Sequence, residues 1–99
     1  MEAYNNTLVG GGWGTLIFDG AGVAEKNIIV TYKEDMWPVR LYPGAEVTMD
    51  YNLYYAPNSP HVGHDGSAKT WEQWGYGGLN VDPQLDDEYC SVFEIGACE

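Results

Sequence analysis

Over residues 46–55 the chain alternates between apolar and polar positions. Val47, Met49, Tyr51, Leu53 and Tyr55 fall on one side, and Glu46, Thr48, Asp50 and Asn52 on the other. A period of two is the mark of a half-buried β-strand, because successive side chains of an extended chain point to opposite faces. Pro43-Gly44 just upstream is a turn signal: proline presets the second position, and glycine accepts the positive φ of a type II turn. Residues 39–42 (VRLY) form a shorter extended piece before that turn.

The same reading extends toward the N-terminus. Residues 7–9 (TLV) predict a first strand, and Gly10, Gly11, Gly12, Trp13 and Gly14 a glycine-rich turn. Residues 15–18 (TLIF) predict a second strand, closed by the hairpin-type dipeptide Asp19-Gly20. Residues 27–33 (NIIVTYK) carry apolar side chains on both faces, as a central strand does. Residues 56–70 (APNSPHVGHDGSAKT) read as a long loop. Thr70-Trp71-Glu72-Gln73 has capping-box spacing, yet Gly75 leaves room for one helical turn only. Asp82-Pro83 is a second helix-start signal, and residues 89–95 hold enough β-formers for a last strand. No sequence repeat is visible. The expectation is a small antiparallel sandwich or barrel of about five to six short strands, with at most one or two short helical turns in the C-terminal half. At 99 residues this is one β-rich domain spanning 1–99, with an acidic C-terminal segment at 82–99.

Charge changes the picture more than composition does. Fifteen acids face four bases, for a net charge of −11. Lys26, Lys33, Arg40 and Lys69 all precede Thr70, and only acids follow it. Such a surface repels nucleic acid and anionic lipid and attracts a basic protein partner. No apolar run approaches the ~18 residues of a membrane span, so no membrane contact is expected. The N-terminal residues show neither a basic nor an apolar leader region, which points to the cytoplasm of a host cell, with an extracellular setting as the alternative. Cys90 and Cys98 are close enough in sequence to close a disulfide loop; in a reducing compartment they would be free thiols.

Candidate chemistry is sparse. The glycine run precedes a strand rather than a helix and has no nearby base, so it is not a phosphate loop. His61, His64 and Asp65 are weak metal candidates, because a flexible loop does not present them rigidly. Asn80, Asp82, Asp86, Asp87 and Glu88 are oxygen-rich but lack the spacing of a calcium loop. No serine sits in a nucleophile context, so no enzyme activity and no cofactor are expected.

The aromatic content, four Trp and eight Tyr, exceeds what one small core needs. Exposed Trp and Tyr are typical interface anchors. The chain is therefore expected to be a non-catalytic, acidic interaction protein, an inhibitor that occupies a nucleic-acid-binding type of surface on a basic partner. B-DNA presents one charge per ~1.7 Å of axis, and fixed carboxylates can compete for the same cationic array. Small phage-encoded antagonists of restriction or CRISPR machinery work this way as a class, an analogy of charge and size. The partner-binding candidates are Asp82, Asp86, Asp87 and Glu88, with Trp71, Trp74 and Tyr76 as anchors, and Glu46 and Asp50 as a second patch. The alternatives are an extracellular carbohydrate-binding or adhesive module, in which Cys90 and Cys98 are bridged and Asn5-Asn6-Thr7 is a glycosylation sequon, and a structural subunit of a virion or filament.

Overall fold

The computed structural model describes residues 2–10, 14–91, 93 and 95–98. It holds β1 (Glu2–Tyr4), β2 (Thr7–Gly10), β3 (Leu16–Phe18), β4 (Ala21–Glu25), β5 (Ile28–Thr31), β6 (Val39–Leu41), β7 (Glu46–Asp50), β8 (Asn52–Tyr55), β9 (Gly63–Asp65), β10 (Ala68–Lys69), α1 (Trp71–Trp74) and β11 (Gly78–Leu79). The chain is mostly β, as expected, but it is neither an antiparallel sandwich nor an antiparallel barrel. It winds as a β-solenoid of about three turns.

Each turn, or rung, contributes one strand to each of three sheets. The orders are β1-β4-β7, β2-β5-β8-β11 and β3-β6-β9-β10. Every pairing between rungs is parallel. Only the β9–β10 hairpin is antiparallel. Parallel neighbours need a long crossover, and here the other two sides of the rung supply it. The turn dipeptides misled because a positive φ does not report how far the chain rotates. Gly20 (φ 120°) and Gly44 (φ 84°) do turn the chain, but into the next rung and not back along the same sheet.

The long alternating stretch breaks at Tyr51, which is left-handed at φ 58°. One expected strand is therefore two, β7 and β8, on different sheets. The phase flips at this corner. Met49 points inward, Tyr51 is 62% exposed, and Asn52, Leu53 and Tyr54 are all buried. Asn5 (φ 52°) and Lys26 (φ 60°) make the same corner in the rungs before.

A buried asparagine follows each of the two lower corners, and a half-buried one the first. Asn6, Asn27 and Asn52 form a column. Asn27 Oδ1 accepts from Asn6 N and Nδ2 at 3.0 and 3.1 Å, and Asn52 Oδ1 accepts from Asn27 N and Nδ2, both at 3.0 Å. Upward, Asn27 Nδ2 donates to Ala3 O and Asn52 Nδ2 to Ala24 O. Backbone groups at a corner leave the sheet ladder, and a buried unpaired group costs about 1–3 kcal/mol. The amides fill that deficit. This is the repeat that the sequence conceals: three corners, 21 and then 25 residues apart.

Inside the rungs, in-register columns form the core: Ala3, Ala24 and Met49; Leu8, Ile29 and Tyr54; Leu16 and Val39. The third column ends at Gly63, whose missing side chain leaves the space that the Trp74 ring fills. The expected helical turn is present as α1, with Thr70 and Gln73 forming its capping box and Gly75 its left-handed cap. With β10 and β11 it closes the C-terminal end. The segment 56–70 is not wholly loop, since it carries β9 and β10.

The strand β5 is buried along its whole length, as its apolar pattern predicted. Its inner face meets the core. Ile28 and Val30, with Leu53, meet Leu85, Phe93 and Ile95 of the tail. The tail is tied down by Gly96 N–H to Lys26 O (3.0 Å) and Ala97 N–H to Thr7 Oγ1 (3.0 Å). Cys90 and Cys98 are joined in a disulfide. The strand expected at 89–95 does not form among its described residues; Val92 and Glu94 lie outside them, as do Gly11, Gly12 and Trp13 of the glycine run.

Two outcomes follow for stability. Asn27→Ala unpairs the Asn6 N–H and the Ala3 carbonyl on the rung before and should cost about 3–5 kcal/mol in urea unfolding, against about zero for Asn80→Ala at the surface. Reducing the disulfide, or replacing both cysteines by serine, should cost about 2–3 kcal/mol in the same assay.

Candidate partner-binding surface

Sheet register decides which charged side chains share a face. In β1-β4-β7, Ala3, Ala24 and Met49 point inward, so their neighbours point out. Glu2, Glu25, Glu46 and Asp50 therefore share one outward face. Glu25 and Asp50 are directly paired, and parallel strands lie about 4.8 Å apart. Val23 and Thr48 fill the column beside them, in register with Glu2. A shallow hollow of about 290 Å³ between Glu2 and Glu46 is floored by Ala21, Gly22 and Val23. None of the four bases lies in these three strands.

The face of β3-β6-β9 differs. Ile17, Arg40 and His64 form its outward column. The Arg40 guanidinium lies 5.0 Å from the centre of the Tyr42 ring, and the Trp37 and His64 rings are 5.1 Å apart. Lys69 on the neighbouring β10 donates to Ser67 Oγ. The bases that lie in strands, Arg40 and Lys69, are thus both in this sheet, which also carries Asp65.

Of the acids expected to meet a partner, Glu46 and Asp50 join this face, together with Glu2 and Glu25, which the sequence reading missed. Their common face follows from rung register, which needs the corners at Lys26 and Tyr51 to be known. Asp82, Asp86, Asp87 and Glu88 are exposed in the tail. Two of them hold turns: Asp82 Oδ1 accepts from Gln84 N (2.8 Å), and Asp86 Oδ1 from Glu88 N (2.8 Å) and Cys90 N (3.0 Å).

The aromatic anchors need correcting. Trp74 is 3% exposed, and Trp71 and Tyr76 are half-buried against the core. Trp71 and Trp74 each lie 6.0 Å from the buried Tyr54 ring, and Tyr76 lies 4.9 Å from Trp74. These rings cap the open end of the solenoid, where a tapering stack of short strands would otherwise leave apolar columns in water. Among the described residues the exposed aromatics are tyrosines: Tyr4, Tyr32, Tyr42, Tyr51 and Tyr89.

His61, His64 and Asp65 are not assembled into a metal site. Ser59 Oγ accepts from the His61 N–H, His64 faces Trp37, and Asp65 Oδ2 accepts from the Tyr76 hydroxyl at 3.2 Å. Among the described residues no three His, Cys, Asp or Glu side chains are grouped to hold a metal. The chain matches no family model, no curated protein and no solved structure.

Burial pushes the Tyr54 hydroxyl above its ordinary value of 10.0, outweighing the opposing pull of Trp74 and Asn52. Tyr76 is raised too, by desolvation first and then by the Asp65 carboxylate. The folded protein therefore keeps these protons after the unfolded chain has lost them. Stability is complete below pH ~10 and falls as pH rises above it. Urea midpoints measured across that range should fall for the wild type and fall less for Tyr54→Phe.

Proposed function

We propose that this is a non-catalytic, acidic interaction protein that docks the β1-β4-β7 face onto a basic surface of a partner protein, of the kind that holds nucleic acid, and so inhibits it. The observation that carries this reading is the set of four outward carboxylates on one three-stranded face whose strands contain no base. A sheet holds its side chains in fixed rows, so little order is lost when a Lys/Arg array meets them. The net charge of −11 adds long-range steering. The tail carboxylates Asp87 and Glu88 are exposed and add to the long-range acidic field.

A second reading, an extracellular binding module, is favoured by the Cys90–Cys98 disulfide, because such bonds persist in oxidising compartments. Its sugar-stacking version must rely on exposed tyrosines, since Trp71 and Trp74 are committed to the cap.

Capture from host lysate on the immobilised protein, washed at low and then high salt, tests both. The docking reading expects a basic nucleic-acid-handling protein that elutes as salt rises and is displaced by duplex DNA. The triple variant Glu2→Gln, Glu25→Gln, Glu46→Gln should weaken that capture by about tenfold or more. Salt-insensitive retention of glycan-bearing material, unaffected by the triple variant, would transfer the assignment to the second reading.

A further inference from the structure

An open groove of about 480 Å³ lies where the β7–β8 corner meets the tail, lined by Asp50, Tyr51, Gly78, Leu79, Phe93 and Ile95. Its size falls in the range of small-molecule sites. Glycine makes the floor. Gly78 pairs with Asn52 at φ 124°, and a Cβ there would collide with the Asn52 carbonyl, so only glycine lets this floor segment lie so close to β8. Gly77 lies close under the Asp50 carboxylate for the same reason. One wall is Leu79. The other is Phe93 and Ile95, held by Phe93 N–H to Ser91 Oγ (3.1 Å) and by the neighbouring Gly96 N–H to Lys26 O (3.0 Å).

Apolar walls with one carboxylate at the rim define a ligand by complementarity. Asp50 is half-buried, and its Oδ1 already accepts the Tyr51 N–H at 2.8 Å. An ionised carboxylate has about four acceptor sites, so Asp50 keeps the capacity to accept from a bound cation, and a compact ammonium fits a rim with a single carboxylate. The geometry points to a binding site for a small free amine: a primary ammonium on Asp50, with an aliphatic or aromatic body lying between Leu79 and Phe93–Ile95. This goes beyond the docking reading and does not depend on it, because no partner protein is involved.

The test is a titration of the ¹⁵N-labelled, disulfide-intact protein with 4-phenylbutylamine, followed by amide shifts, with 4-phenylbutanol as the neutral isostere. The expected result is saturable binding in roughly the millimolar range, with shifts centred on Tyr51, Gly78, Leu79 and Phe93. The alcohol and the Asp50→Asn variant should each bind about tenfold or more weakly. Leu79→Ser, at a partly exposed wall position, should weaken binding while leaving the spectrum elsewhere unchanged, which keeps the site testable even if Asp50→Asn disturbs the fold. Equal binding of amine and alcohol, non-saturating shifts spread over Glu2, Glu25 and Glu46, or unaltered affinity in Leu79→Ser would each overturn the assignment. Loss of partner capture in the triple glutamine variant leaves this result untouched, so the two readings fail separately.

Discussion

Three asparagines on one corner hold the winding of this chain. A rung turns from its first sheet to its second through a single left-handed residue, and there the Asn6 and Asn27 N–H groups and the Ala3 and Ala24 carbonyls pair with side-chain amides. The Asn6–Asn27–Asn52 column supplies those partners, the Asn27 and Asn52 side chains each reaching back to the backbone of the rung before. The amide is suited to the task because it donates and accepts at once. An aspartate in the same place would lose the donors and bury a charge. Register follows from the column, since each corner is locked to the next, and every in-register core column depends on that lock.

A short solenoid has two problems that long ones dilute: its ends and its faces. The C-terminal end is closed by β10, α1 and β11, with Trp74 set into the space above Gly63. The open apolar face of β2-β5-β8 is covered by the tail, where Leu85, Phe93 and Ile95 lie on Ile28, Val30 and Leu53. The disulfide shortens the reach of the unfolded tail and so favours the covered state. Trp71, Trp74, Tyr76 and Phe93 are used here, in capping and covering.

What remains exposed differs by sheet. One face carries only acids among its charged residues, and another presents Arg40 and His64. Parallel, in-register stacking places Glu25 directly beside Asp50, a repulsion that the fold tolerates because both carboxylates reach solvent and the buried columns behind them hold the rungs. On the docking reading proposed above, a basic partner would relieve this repulsion. The same corner that ends the acidic face opens the groove at Gly78.

The sequence by itself determined the β character, the buried nature of residues 28–31, the helical turn at 71–74 with its capping box, and the strong acidity, while the second helix start it offered at Asp82-Pro83 forms no helix. Each of these rests on local chemistry: period-two alternation, β-branched residues, cap spacing, or charge count. It did not determine that residues 46–55 are two strands on two sheets, because alternation runs smoothly through Tyr51 and a left-handed tyrosine leaves no compositional trace. Nor did it separate parallel winding from antiparallel hairpins, since Asp19-Gly20 and Pro43-Gly44 serve either rotation. The acidic face was half legible, through Glu46 and Asp50; Glu2 and Glu25 joined it only once rung register was fixed. The fate of Trp71, Trp74 and Tyr76 was decided by tertiary structure, because exposure is set by which open end an aromatic can close and not by the loop in which it is written.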